Sequence, residues 1–268
     1  MIRFSVANLV TLATIAASSA ATAYPAANVA TPERPFTPWR SGGGTPIAEQ
    51  TLTLDFGATV ALGVIALVRA NFLTATVQGH ATNSWGSPSY SEAIQTGREP
   101  TNTRYGRVLI PSGTGSPFNY RWLRLVIAAQ TPLDGAAYFL LGGLWAGAWL
   151  TTPRGVDWSY TLRRIEPHTD VQPPHAGWLE RSRRAEPIAF LTAHRKVTIN
   201  HNAPGSGDDF GAWQEIDRQL LEADKALTQL DTANVYQGWV MRRREDPEWT
   251  VNARLAESPL ALSEITGP

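Results

Sequence analysis

Five histidines, His80, His168, His175, His194 and His201, and 23 carboxylate residues are the groups of this 268-residue chain that could do acid–base or metal chemistry. Zinc hydrolysis of the metalloprotease kind needs two histidines one helical turn apart with a glutamate beside them, and no such pattern occurs. His194 and His201 lie across a strand and a loop, a spacing that reads as solvated surface. Cysteine is absent, which removes disulfides, thiolate metal sites and cysteine nucleophiles together. No Gly-x-Ser-x-Gly elbow presents a serine. Gly42-Gly43-Gly44 lacks the Gly-Lys-Ser/Thr that lets a glycine loop cradle phosphate. Asp208-Asp209 sits in a glycine-rich loop without the alternating oxygen ligands calcium requires, so one of the two reads as a helix cap. A glycosidase pair in the first half would have to come from Glu33, Glu49, Asp55, Glu92, Glu99 and Asp134, and no facing pair can be assigned. The expectation is a protein that is not an enzyme, with no cofactor and no metal.

Charge excludes further classes. Lys+Arg and Asp+Glu both total 23, so no global field draws in nucleic acid or an anionic membrane. Residues 1–150 carry 9 basic and 6 acidic groups and the remainder 14 and 17, so neither half is an electrostatic funnel. Two arginine clusters stand out in the second half: Arg181, Arg183 and Arg184, and Arg242, Arg243 and Arg244. Either they form a solvated face, or their planar forks pair with carboxylates of another copy of the chain. Asp217, Glu222 and Asp224 are the candidate partners. Ten tryptophans fill cores and contacts or stack on sugars.

The elements that must position these residues follow from periodicity. The first half reads as short strands between Gly/Pro/Ser/Asn clusters, the pattern of a sandwich or jelly roll. Leu52, Leu54 and Phe56 alternate on one face, as do Leu123, Leu125 and Ile127. Residues 64–68 form a continuous apolar run, predicting a central strand covered on both sides. Another apolar strand starts at Tyr138 and runs through Gly142 and Gly143. Three turn-rich connections, 32–46, 83–103 and 111–119, are the segments expected to carry function. A composition shift at 151–155 marks a boundary between domains 1–150 and 151–268. In the second, residues 189–199 alternate as a strand, and Trp213, Ile216, Leu220, Ala223, Leu227 and Leu230 step by three and four, predicting an amphipathic helix over about 212–231. Strands are expected again at 235–241 and 249–255. The fold class is mainly β, with one helix packed on the second domain.

The N-terminus admits two readings. Arg3 precedes an apolar run over 9–17, and Ala21-Thr22-Ala23 has the small-x-small form of a signal-peptidase site. That reading gives a secreted carbohydrate-binding protein whose mature chain begins at Tyr24. Ser5, Asn8, Thr11 and Thr14 interrupt the run, however, and favour a folded first strand over residues 4–14. The stretch is also shorter than the roughly 20 apolar residues that span a bilayer.

Between residues 1 and about 150, the series Tyr24-Pro-Ala-Ala-Asn28, Trp39-Arg-Ser41, Thr51-Leu-Thr-Leu-Asp-Phe-Gly57, Ile65-Ala-Leu-Val68 with Asn71-Phe72, Trp122-Leu-Arg-Leu125 and Leu141-Gly-Gly-Leu-Trp145 resembles discoidin-like (galactose-binding-like) jelly rolls. The form is that found at the N-terminus of tail-tip proteins of long-tailed, non-contractile bacteriophages. In it the opening strand belongs to the mature domain. The second half, from Trp158-Ser-Tyr160 through the helix to Asp246-Pro247, resembles the tube-like β-sandwich with helix of distal tail proteins. The resemblance implies a structural virion protein, assembled in the host cytoplasm into a homo-oligomeric ring, a hexamer or a trimer, joining tail tube protein to baseplate hub protein. Ring closure uses heterologous contacts, for which the arginine and acidic clusters are candidates. It also implies glycan binding, of a host surface sugar, by loops bearing Trp39, Arg40, Asn83, Trp85 and Tyr90.

Overall fold

The computed structural model describes residues 3–32, 37–43, 48–95, 107–109, 118–150, 157–165, 168–171, 180–183, 188–198, 209–223, 225–229, 238–243, 250–252 and 255–264. The chain is mainly β and divides into two compact units. One is built from Met1–Thr151 with Ala226–Val240, the other from Thr152–Lys225 with Met241–Thr266. The composition shift at 151–155 falls at the first division, and the segment after the helix returns to the first unit.

In chain order the strands of the first half are β1 (Arg3–Ser5), β2 (Thr14–Ala17), β3 (Trp39–Arg40), β4 (Gln50–Leu62), β5 (Val64–Ala70), β6 (Thr74–His80), β7 (Tyr90–Gln95), β8 (Arg107–Leu109), β9 (Phe118–Ile127) and β10 (Leu140–Gly147). Those that follow are β11 (Asp157–Ile165), β12 (His168–Val171), β13 (Glu180–Arg183), β14 (Ile188–Thr198), helix α1 (Asp209–Glu222), β15 (Ala226–Gln229), β16 (Gly238–Arg243), β17 (Thr250–Asn252) and β18 (Leu255–Glu264).

The first unit is a sandwich of two antiparallel sheets, β2-β4-β9-β6-β7 and β3-β10-β5-β8. The alternation read in the sequence produces it: Leu52 and Leu54 of β4 and Leu123, Leu125 and Ile127 of β9 are fully buried in one core with Ile65, Leu67 and Leu141 of the facing sheet. Val64–Val68 is buried on both faces, between β10 and β8. Along β5 the core-facing residues run Ile65, Leu67, Ala70, and along β10 Leu141, Leu144, Ala146, so both strands change phase at the same level. Arg69, with φ 54°, lies at that step in β5, a left-handed conformation that inverts a strand's sides at some steric cost. Gly142 and Gly143 lie at the step in β10, where a Cβ on Gly143 would collide with Pro32.

The segment 83–103, read as one loop, contains β7. Its inward pair, Tyr90 and Ile94, is separated by the polar Glu92 at the position between them, so the apolar alternation does not stand out from the surrounding turn residues. The segment 32–46 likewise holds β3.

Residues 4–14 are not one strand. Three residues of β1 pair with β15, a 3-10 turn covers Leu9–Leu12, and β2 pairs with β4. Asn8 caps the turn and is buried, donating from Nδ2 to the Leu144 carbonyl and accepting from the Ala146 N–H. Phe4 and Val10 are fully buried, and Ser5 Oγ accepts from Trp145 Nε1 at 3.0 Å. The segment is part of the first unit's core, not an appendage.

In the second unit β14 pairs with β11 and β18, and β18 pairs on its other side with β17 and with Met241–Arg243 of β16. The sequence predicts a last strand near 249–255, whereas the long central strand is β18, which holds Pro259. Leu255–Glu257 face β17 and Leu262–Glu264 face β16. Pro259 falls between these two pairings and stands opposite His194 of β14 on the other side of the strand. Helix α1 lies against β14 and buries Ile216 and Leu220. It ends at Glu222, not near 231, because Ala226–Gln229 pairs with β1 as a strand. Tertiary pairing here overrides a periodicity that continues only by coincidence. Asp208 and its capping role lie outside the described residues.

Candidate functional site

The outer face of the five-stranded sheet gathers the groups that could hold a ligand. Since Leu123 and Leu125 point inward, Trp122 and Arg124 of β9 point outward, and register sets Arg124 opposite Gln78 and Trp122 opposite His80. Arg124 donates from Nε and Nη2 to Gln78 Oε1, at 2.9 and 2.6 Å. Its remaining N–H groups make no hydrogen bond with a described residue. Desolvation holds its pKa below the ordinary arginine value, opposed by the charge of Glu49.

The exposed β6–β7 loop folds Trp85 over this face. Its partly exposed ring lies 4.6 Å from the Arg124 guanidinium carbon, a cation–π contact. Trp85 Nε1 donates to Asn83 Oδ1 at 2.6 Å, fixing the indole. The His80 ring is 6.4 Å from it, and its Nδ1, unprotonated, accepts from the Thr82 N–H at 3.0 Å or, protonated, donates to the Thr82 carbonyl at 2.8 Å. The result is a shelf of an aromatic face, a guanidinium, a carboxamide and an imidazole. Next to it Arg121 binds Asp55 in bidentate fashion, both contacts at 2.7 Å. That hydrogen bonding lowers the Asp55 pKa, against partial desolvation and with help from the Gly57 N–H.

Of the residues expected in glycan-binding loops, Asn83 and Trp85 meet on this shelf. Trp39 and Tyr90 do not: both are fully buried. Trp39 Nε1 donates to the Ser19 carbonyl at 3.1 Å. The Tyr90 hydroxyl donates to Glu92 Oε2 at 2.6 Å, and burial, reinforced by that carboxylate, pushes its pKa well above the ordinary phenol range. Both rings are core members that an external sugar cannot reach. Arg40 lies apart, on β3, with its guanidinium carbon 3.8 Å from the Tyr24 ring centroid and 4.9 Å from that of Tyr138. Arg124, Gln78 and His80 were not singled out from sequence. The alternation of β9 marks Arg124 as outward, but only the pairing of β6 with β9 brings it to the other two.

Among the proposed inter-subunit residues, Asp217 is 1% exposed, turned inward with Ile216 and Leu220, and so is no outward contact. Glu222 is exposed and pairs within its own helix with Arg218. Arg181 and Arg183 are on β13, at the register positions of Asp170 and His168. Arg242 and Arg243 are on β16, opposite Ser263 and Leu262. Arg184, Arg244 and Asp224 lie outside the described residues. Among the described residues no group of three His, Asp or Glu side chains could hold a metal ion, and no helix is long and apolar enough to cross a membrane.

No family model matches the chain, and no curated protein matches it. Solved structures do. Chitosan-binding module 1 of a chitosanase/glucanase from Paenibacillus sp. IK-5 is 17% identical, over 52% of this chain and 98% of that one, with a TM-score of 0.38. The family 32 CBM of NanJ from C. perfringens, in complex with galactose, is 13% identical over 55% and 98%, with a TM-score of 0.40. The lectin binding domain of Lectinolysin, complexed with Lewis b, is 9% identical over 53% and 96%, with a TM-score of 0.40.

Proposed function

We propose that this chain is a non-enzymatic structural component of the tail tip of a long-tailed, non-contractile phage. Its first unit presents a saccharide-binding surface, and its second joins copies of the chain into a ring between tail tube and baseplate hub. The observation that carries the binding half is the shelf of Trp85, Arg124, Asn83 and His80. A sugar offers an apolar C–H face and a ring of hydroxyls, and the shelf offers an aromatic face beside donors and acceptors. The assembly half rests on the resemblance, and the residues of that series behave as fold-defining ones. Asn28 donates to the Pro38 carbonyl, Trp39 fills the core, and Ser41 Oγ accepts from the Phe139 N–H. The alternative, an exported carbohydrate-binding protein trimmed after Ala23, would lose β1, β2 and the buried Phe4 and Val10, which favours the tail-tip reading. Arg181, Arg183, Arg242 and Arg243 remain the proposed ring contacts, with carboxylates other than Asp217 and Glu222 as partners.

The test is calorimetric titration of the full chain with a panel of neutral saccharides, alongside its native mass. The expected result is binding that Trp85→Ala abolishes without lowering Tm, from a ring-sized oligomer. A single-chain mass would overturn the ring, and undiminished binding by Trp85→Ala would overturn the shelf.

A further inference from the structure

The side chain of Arg40 makes no hydrogen bond and no ion pair with any described residue, and its Nε is buried without a partner. That one N–H is unusual, because buried donors are nearly always satisfied and one on a charged group carries the largest penalty when it is not. Arg40 is nonetheless held in place. Its backbone N–H bonds the Tyr24 carbonyl at 3.3 Å, its own carbonyl accepts from Ala21, and β3 pairs Arg40 with Leu140. Tyr24 and Tyr138, both partly exposed, bring their rings to the guanidinium. Tyr138 is fixed in turn by the buried Asn71, which donates to its carbonyl at 3.0 Å while accepting from the Leu140 N–H at 2.7 Å. The guanidinium is therefore placed before anything binds, with no carboxylate of a described residue paired to it.

We infer that Arg40, flanked by Tyr24 and Tyr138, is a second site that takes the carboxylate of an acidic sugar, separate from the Trp85 shelf. A carboxylate matches the planar fork with two parallel hydrogen bonds and supplies a counter-charge that no described residue provides. The tyrosine rings lie against the cation, and of its nitrogens only Nε is buried without a partner, which leaves the two terminal nitrogens for the ligand. The choice of a sugar as the carrier rests on the saccharide reading above.

The full chain is titrated with trigalacturonate, with its methyl ester and with neutral galactotriose. The inference expects the acid to bind more tightly than the ester, by about tenfold or more, the scale of a charge-assisted bidentate pair. It further expects Arg40→Gln to abolish that preference and Arg40→Lys, which keeps the charge and the stem but not the fork, to reduce it. Trp85→Ala should leave the preference intact. Equal binding of acid and ester by the unmodified protein overturns the inference without recourse to any variant, as does an acid preference that survives Arg40→Gln. If the ester and galactotriose still bind in a Trp85-dependent way, the shelf stands and only the Arg40 site falls. If none of the three binds, both fall.

Discussion

Trp39 gives all of its surface to the core and uses its one donor on the Ser19 carbonyl, whereas Trp85 keeps part of its ring in solvent over Arg124. The same residue type thus has two roles, and they separate experimentally. Trp39→Ala should destabilise the first unit by about 3–5 kcal/mol, the usual cost of truncating a buried aromatic ring. Trp39→Phe keeps most of the packing and strands one carbonyl, at about 1–3 kcal/mol. Urea unfolding of both variants reads this directly. Equal stability of Trp39→Ala and the unmodified chain would mean that this ring does not hold the sandwich closed. Nothing in the local sequence distinguishes the two tryptophans, since both sit in turn-rich stretches beside polar neighbours. Their difference comes from pairing: Trp39 is on β3 and pairs with β10 beside the core, whereas Trp85 stays in the exposed β6–β7 loop over a sheet face.

At the scale of an element, α1 shows how an exposed helix face is tied together. Arg218 bridges Glu215 and Glu222, at spacings of three and four residues, both contacts at 2.5 Å. Hydrogen bonds from Arg218, and next from Gln219, lower the Glu215 pKa from 4.5 to about 2. A carboxylate whose pKa is depressed on folding contributes stability above its unfolded value and loses it as pH falls toward the folded one. The contribution is therefore complete above about pH 4.5 and disappears toward pH 2. In an exposed triad it is small, so the expected sign is local. Between pH 5 and 2, the helical carbon shifts of residues 214–222 should decline in the unmodified chain. In Glu215→Gln they should already be reduced at pH 5 and change less. Identical pH profiles in the two proteins would remove the triad as the cause. The inward Ile216 and Leu220 pair was legible in sequence, whereas Glu222 was assigned to contacts with another copy and not to Arg218. The helix end was not legible, because Leu227 continues the three-and-four stepping while β1 pairs with its backbone.

For the whole molecule, the consequential feature is that the strands of the first unit come from two separated stretches of chain: β1 to β10, and β15. Phe4, Val10 and Leu227 are all fully buried in it. A chain beginning at Tyr24 should therefore fail to form a cooperative first unit. The expected signs are loss of the dispersed methyl resonances of its core and of near-ultraviolet dichroism, while α1 and the β11–β14–β18 sheet are read separately. A truncated chain with an intact sandwich spectrum would show that β1 and β2 are dispensable and would reopen the reading of residues 4–23 as a removable signal. The division near residue 151 could be read from composition. The return of Ala226–Val240 to the first unit could not, because nothing local in those residues names a partner more than two hundred positions away.

By itself the sequence determined that no disulfide, thiolate ligand or cysteine nucleophile is present, and the strands whose apolar residues alternate over several periods, such as β4 and β9. Those are local properties, fixed by residue type and by the two-residue repeat of a strand. Tertiary structure alone decided which aromatics are core and which are surface, that Asp217 turns inward, that Pro259 can stand in a central strand, and that Arg124, Gln78, His80 and Trp85 share one face. Each of these depends on pairing between distant segments, and burial is a property of the whole packing and not of any window of sequence.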